Sequence, residues 1–163
     1  MKKRKIFFLI LLILCMIVIF MFSAQNGGTS GNLSEGITYN IAKIFVDDFE
    51  NMTFVQQKNL VEEMHFYIRK IAHFSIYALL GFLACINSRF YITKKKKALA
   101  VSLVFCLLYA VSDEIHQLFS DGRCGSPVDV MIDFSGSCVG TAVASVILAF
   151  ITKYCNKKKA YDK

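Results

Sequence analysis

The sequence predicts an all-α membrane protein with four transmembrane helices, and three observations support this. Hydrophobic residues fill 55% of the 163 positions, with 15 Phe, no Trp and a single Pro, which exceeds the apolar content of an ordinary soluble domain. Four apolar segments approach or exceed the length needed to cross a bilayer. Most Lys and Arg residues flank these segments. The length suits one compact domain, residues 1–163.

The four predicted spans differ in how apolar they are. The first, about residues 6–22, holds no charged or amide side chain in 17 residues. The second, about 67–86, begins with basic residues, and the third, about 98–119, becomes polar toward its end. The fourth, about 128–151, opens with two carboxylates and then carries no further charge. Even the shortest segment would rise about 26 Å as a helix, close to the thickness of the hydrocarbon core.

The basic residues predict the orientation, because Lys and Arg beside spans are retained in the cytoplasm. Fourteen of the 19 precede the first span, lie between the second and third, or follow the fourth. With four spans, these three segments share one side, so both termini are expected in the cytoplasm. Only Asp162 of the 12 acidic residues falls there. The +7 net charge is therefore a topology signal, and a nucleic-acid partner is not expected.

The N-terminal segment also has the basic start and apolar stretch of a secretory signal. Its 17 apolar residues exceed the usual length, and Phe22 would occupy a position that needs a small residue before a cut after Ala24. We therefore expect the first span to be retained.

The first outer loop, about residues 23–66, is too long for a bare connector. Apolar residues recur at helical spacing from Leu33 to Phe45 and again from Phe54 to Met64. We expect two amphipathic helices that lie on the outer membrane surface or cap the bundle. A flexible polar loop is the alternative, because glycine is dense at its start.

Ionisable side chains recur where the second span meets the outer surface. Arg69, His73 and Tyr77 follow one another at four-residue steps and form one stripe, which Gly81 continues inward. An ionisable group at the centre of a span costs about 2.5–3.5 kcal/mol, so such a concentration needs a reason.

The third span ends in a similar group. Asp113, His116 and Gln117 are spaced to share one helix face, whereas Glu114 is expected to point partly elsewhere. On the fourth span, Asp129 and Asp133 are followed on nearly the same line by small residues that let another helix approach closely. We therefore expect that line, with its carboxylates, to face the bundle interior; the small residues are Gly136, Gly140 and Ala144.

Two further polar residues are predicted at the same level. Arg123 follows an Asp-Gly turn signal in the loop between the third and fourth spans, and Gln25 follows the first span. All four spans thus contribute to one polar site that faces outside. A purely structural ion-pair network remains the rival interpretation, since the charges can neutralise one another.

Five segments together resemble the VanZ-like family: FSAQ at 22–25, RKIAHF at 69–74, SDEIHQLF at 112–119, GR at 122–123 and DVMIDFSG at 129–136. The resemblance implies a four-helix integral membrane protein of the bacterial cell envelope, in the plasma membrane. It also implies a link to low-level resistance to teicoplanin, a lipid-bearing glycopeptide antibiotic, through the family's namesake. The motif positions that carry over are Arg69, His73, Asp113, Glu114, His116, Gln117, Arg123, Asp129 and Asp133.

One hypothesis is an enzyme that modifies a membrane lipid or a lipid-linked cell-wall precursor. Two arginines could hold a phosphate, His116 held by Asp113 would act as general base, and His73 or Glu114 as general acid. The catalytic candidates are His73, Asp113, Glu114, His116 and Asp133, and the substrate-binding candidates are Gln25, Arg69, Gln117, Arg123 and Asp129.

The sequence contains no recognised metal or cofactor motif, so neither a metal nor a cofactor is predicted. A lower-ranked variant would place a divalent ion among hard ligands, namely Asp113, His116, Asp129 and Asp133.

The alternative hypothesis is a non-catalytic accessory protein that binds the precursor or the antibiotic and limits access to it. The long amphipathic outer segment motivates it. Truncation of residues 27–63 would then abolish function, whereas Asp113→Asn would be mild. A transporter is the weakest option, because four spans without internal repeats would need dimerisation. Whether the chain is an enzyme, and its oligomeric state, stay open.

Overall fold

The computed structural model describes residues 2–23, 27–119 and 125–161. It is 91% helical, with five α-helices and no strand in the described ranges. The helices are α1 (Lys2–Ser23), α2 (Gly27–Phe45), α3 (Phe54–Tyr91), α4 (Lys95–Gln117) and α5 (Pro127–Tyr161). All except α2 are long and apolar enough to cross a membrane. The predicted all-α fold with four transmembrane helices is thus confirmed.

Helices α3 and α5 run parallel and form the closest pair in the bundle. The hydroxyl of Ser137 donates to the carbonyl oxygen of Tyr77 at 3.2 Å, and Thr141 donates to the carbonyl of Gly81, also at 3.2 Å. Both bonds join residues 60 positions apart, so the two helices keep one register over a full turn. A Cβ atom at Gly140 would overlap the backbone of the facing helix, which is why small residues occupy this line.

The first helix packs more loosely, and most of its side chains remain exposed for lipid. It buries one stripe, Leu12, Cys15 and Ile19, against α3 and α4. Two polar side chains also reach its backbone: Tyr109 donates to the carbonyl of Met16 at 2.7 Å, and Asn87 donates to that of Phe8 at 3.0 Å. These bonds help to hold α1 against the bundle, because few side chains of α1 are buried.

Helix α3 is a single helix of 38 residues, about 57 Å long and therefore nearly twice the thickness of the hydrocarbon core. It begins with a capping box between Thr53 and Gln56. The predicted second amphipathic helix, Phe54–Met64, is therefore not a separate element but the first third of α3. No Pro or Gly occurs between Phe54 and Gly81, so no helix-breaking residue ends the helix in this segment.

Helix α2 is the other amphipathic helix predicted in the first loop, and the structure confirms its existence. It packs beside the beginning of α3 through a small core of Ala42, Phe49 and Val61. A 3-10 turn, Phe49–Asn51, connects the two helices. Asp48 precedes it with a φ of 59°, a left-handed conformation that Asp tolerates better than most residues. We call residues 35–64 the projecting unit.

Candidate functional site

Three buried carboxylates meet at the end of the bundle where α4 ends and α5 begins, which we call the polar end. Asp113 and Glu114 come from α4, and Asp133 comes from α5. Each offers an oxygen atom, and these atoms all lie within 4.8 Å of one another. The three residues are 5%, 5% and 0% exposed. We call this group the carboxylate cluster.

The rotation of α4 about its own axis decides which of its polar residues enter the cluster. Gln117 is 1% exposed, and its amide nitrogen lies 3.3 Å from Asp113 Oδ2 and 3.2 Å from Glu114 Oε1. At about 100° per residue, Gln117 lies between these two carboxylates on the helical wheel, and His116 falls outside them. The expectation that Glu114 points partly elsewhere is therefore wrong, because Asp113 and Glu114 both face the bundle interior.

Glu114 is also tied to the start of α5. The backbone N–H of Ser126, the residue before α5, donates to Glu114 Oε2 at 2.8 Å. With the Gln117 amide on Oε1, both oxygens of this carboxylate are occupied by donors. Glu114 thus joins the end of α4 to the first turn of α5, and its carboxylate has a fixed orientation.

Helix α3 contributes an imidazole and a phenol from the predicted stripe. His73 is half-buried, and its Nδ1 lies 3.4 Å from Asp133 Oδ1. Tyr77 is fully buried and interacts with the carboxylates of Asp113 and Asp133. Three helices therefore meet at the cluster, and Asp133 is the carboxylate that contacts α3.

An ion pair between Lys70 and Asp129 lies beside the cluster. Asp129 is 9% exposed, and Lys70 also lies over the ring of Phe66. Sequence reasoning chose Arg69 and missed Lys70, although Lys70 stands three residues before His73 and so adjoins the same stripe. Arg69 is partly buried and forms no ion pair with a residue in the described ranges.

His116 lies apart from the carboxylates with which it was expected to work. Its ring packs against Phe20 of α1, with centroids 4.5 Å apart, and its buried Nδ1 has no hydrogen-bond partner in the described part of the chain. No hydrogen bond joins it to Asp113 there, where Gln117 occupies that carboxylate. Two other predicted site residues, Gln25 and Arg123, lie outside the described residues.

The arrangement places an imidazole, a phenol and three carboxylates within reach of one another in a mostly water-excluded site. Three carboxylates this close repel one another when ionised, so the group must hold protons or a cation. Such a site can transfer protons to a bound polar group or coordinate a hard metal ion. Of the metal ligands proposed from sequence, the structure groups Asp113 and Asp133 and adds Glu114; His116 and Asp129 are not in the group.

The fold and this site define a multi-pass helical membrane protein that buries titratable side chains at one end of its bundle. The chain belongs to the VanZ/LLP1 family, whose model matches residues 8–149. That range includes every residue of the carboxylate cluster, the ion pair and the α3 stripe. No curated protein and no solved structure matches the chain significantly.

Proposed function

We propose that this protein acts at the outer leaflet of a bacterial plasma membrane on a lipid or a lipid-linked cell-wall precursor, and thereby lowers sensitivity to glycopeptides such as teicoplanin. In this proposal the polar end faces outside and both termini are cytoplasmic. The opposite end of the bundle carries most of the basic residues, including Lys95 to Lys97 at the start of α4. Basic residues of this kind are retained on the cytoplasmic side.

The observation that carries the proposal is the His73–Asp133 contact beside two further buried carboxylates. A structural ion pair does not need three carboxylates within 4.8 Å of one another, whereas a site that moves protons at a lipid headgroup uses groups of this type. The geometry favours His73 with Asp133 as the imidazole–carboxylate pair. In this proposal Arg69, at the same end of α3, attracts a phosphate group of the substrate.

The role proposed from sequence for His116 needs its own test, because its ring lies on Phe20. As a base held by Asp113, it would have to leave this contact when substrate binds. His116→Ala is therefore expected to reduce function if the residue reacts, and to leave it unchanged if the ring only packs. Full function in that variant would remove His116 from the mechanism and leave His73 as the imidazole.

The experiment is teicoplanin susceptibility of a sensitive Gram-positive host that expresses the protein. Wild type, Asp133→Asn, His73→Ala and His116→Ala are compared at membrane levels matched by immunoblot. The control is Glu62→Gln, which removes an exposed carboxylate on the same chain. We expect protection by wild type and the control, and loss in Asp133→Asn and His73→Ala. Protection retained in both site variants would contradict a chemical role, and no protection by wild type would contradict the resistance function.

A second candidate function, binding without chemistry, is favoured by the apolar tip of the projecting unit. Four large hydrophobic side chains there are 64–79% exposed, two at the end of α2 and two at the start of α3. Exposed apolar patches of this kind commonly mark binding surfaces. The residues are Ile44, Phe45, Phe54 and Val55.

The double variant Phe45→Ser, Phe54→Ser separates the two functions in the same susceptibility assay. If the protein acts by binding, this variant should lose protection while His73→Ala keeps it. If it acts by chemistry at the polar end, the order should reverse. The truncation of residues 27–63 would remove both the tip and the packing around Val61, so the double substitution is the cleaner variant.

A further inference from the structure

Within the described residues, few positive side chains contact the carboxylate cluster. Among residues 2–23, 27–119 and 125–161, no Lys or Arg forms an ion pair with Asp113, Glu114 or Asp133. Lys70 is paired with Asp129 instead. In the same ranges, the half-buried imidazole of His73 is the one basic group within 4 Å of a cluster carboxylate. Three ionised carboxylates with at most one positive neighbour would be costly in a bundle interior.

A second observation concerns two fully buried side chains at the cluster, Asp133 and Tyr77, whose oxygen atoms lack satisfactory hydrogen-bond partners. Asp133 is fully buried, and its Oδ2 atom accepts no hydrogen bond from any residue in the described ranges. The hydroxyl of Tyr77, also fully buried, forms at most a weak hydrogen bond with Asp113 and has no partner of standard length and angle there. Buried polar atoms are nearly always satisfied by a partner, water or an ion, so a missing ligand is indicated between these groups.

We propose that the carboxylate cluster binds one hard divalent cation of the Ca²⁺, Mg²⁺ and Mn²⁺ class, with one oxygen each from Asp113, Glu114 and Asp133. The inference rests on the proposed function in one respect, since the cation would then help to hold a precursor's phosphate at the polar end. Oxygen ligands on opposite sides of Ca²⁺ lie about 5 Å apart, which agrees with the spacing of up to 4.8 Å here. An all-oxygen set disfavours softer metals.

The hydrogen bonds around the cluster suit this role, because they orient the ligands without neutralising them. The amide of Gln117 contacts both Asp113 and Glu114, and the N–H of Ser126 holds Glu114 Oε2. Outer groups of this kind fix the ligand oxygens and are important for metal affinity. The sequence predicts no metal because it contains no recognised metal motif, and its lower-ranked ligand set leaves out Glu114, which the structure groups with Asp113 and Asp133.

The test is direct binding of Mn²⁺ to the purified full-length protein in phosphatidylcholine nanodiscs. Electron paramagnetic resonance reports the free Mn²⁺, Ca²⁺ and Mg²⁺ serve as competitors, and empty nanodiscs measure binding to lipid. The variants are Asp133→Asn and Glu114→Gln, which keep side-chain shape and remove one charge each. Glu62→Gln is the matched control, because it removes an exposed carboxylate outside the cluster.

We expect wild type and Glu62→Gln to bind one Mn²⁺ per chain, and each cluster variant to bind at least about tenfold more weakly. Binding should also raise the melting temperature of wild type but not of Asp133→Asn, since a ligand stabilises only the state that binds it. Equal binding by wild type and both cluster variants, or no binding above empty nanodiscs, would overturn the inference.

The binding and susceptibility results can fail independently. Teicoplanin protection by a wild-type protein that binds no Mn²⁺ would overturn the cation site and leave the proposed function in place. One bound Mn²⁺, lost in both cluster variants of a protein that gives no protection, would establish the cation site and contradict the function. A cluster variant that fails to fold is identified by its melting curve, and the other cluster variant then decides the question.

Discussion

The backbone of Gly140 lies so close to the carbonyl oxygen of Ala78 that no side chain fits between them. Gly136 has the same relationship with Phe74, one turn nearer the polar end, and Gly81 has it with Ser137. These approaches fix the distance and the register between α3 and α5. That register brings His73 and Lys70 of α3 to the two carboxylates of α5, so the small residues position the site.

Gly140→Ala is expected to destabilise the protein by about 1–3 kcal/mol, because a Cβ atom would push α3 and α5 apart. The matched control is Gly36→Ala, which adds the same methyl group in α2 where nothing lies within 4 Å. That change should be neutral or stabilising by up to about 1 kcal/mol, since Ala is the better helix former. Thermal unfolding of the two purified variants checks the pair, and equal effects would contradict close packing at Gly140.

Lys70→Met is expected to lower stability by about 1–3 kcal/mol, because it leaves Asp129 mostly buried without a counter-charge. Adding Asp129→Asn should recover much of the loss, since no unpaired charge then remains. The control is Lys58→Met, which breaks an exposed pair with Glu62 and should cost under about 0.5 kcal/mol. A double variant less stable than Lys70→Met alone would show that the ion pair is not what stabilises this position.

The pair between Lys43 and Glu50, 2.6 Å apart, predicts a pH dependence in the projecting unit. The hydrogen bond from Lys43 lowers the pKa of Glu50 below its ordinary value of 4.5. A carboxyl with a lowered pKa stabilises the folded state above its unfolded pKa, and this contribution is lost as the pH falls through the folded pKa.

An NMR titration of the Glu50 carboxyl checks this prediction. Its pKa should lie below 4.5 in wild type and return toward that value in Lys43→Met. Because both groups are exposed, the difference should shrink as salt is added. An identical Glu50 titration in the two proteins would show that the pair does not form in solution.

The orientation can be tested with single cysteines placed at the two ends of the bundle. In a cysteine-free background, Glu50→Cys lies in the projecting unit and Lys96→Cys lies at the opposite end of the spans. A membrane-impermeant maleimide added to intact cells should label the first and not the second. Permeabilised cells, in which both should react, provide the control. The reverse pattern in intact cells would invert the topology and move the polar end to the cytoplasm.

Sequence patterns predict the spans well, because hydrophobic length and flanking charge act locally along each helix. They fail at the beginning of α3, where amphipathic periodicity from Phe54 to Met64 looks like a surface helix. The pattern shows which residues are apolar, but not whether the helix stops at the membrane surface. Only the uninterrupted run without Pro or Gly up to Gly81 could have predicted one continuous helix.

For the site as well, the sequence predicts the relative positions of residues on one helix, but not which face of that helix packs against the others. Spacing places Asp113, Glu114 and Gln117 at known angles on α4, but the direction that faces the bundle depends on α3 and α5. A rotation of less than 100° exchanges Glu114 for His116 at the interior. Lys70 was missed for a related reason, because its partner is 59 positions away and the pairing follows from the glycine-set register.

Because α3 is one continuous helix, it links the projecting unit mechanically to the polar end. Its first part, residues 54–68, packs against α2 through Val61, and a later part is held against α5 by the close contacts of Gly81, Gly136 and Gly140. Since an α-helix transmits tilt and rotation along its length, a force applied to the projecting unit would be resisted where α3 packs against α5. Lys70 and His73 follow directly, so a load on the projecting unit would act on Asp129 and Asp133 of α5 through these two side chains.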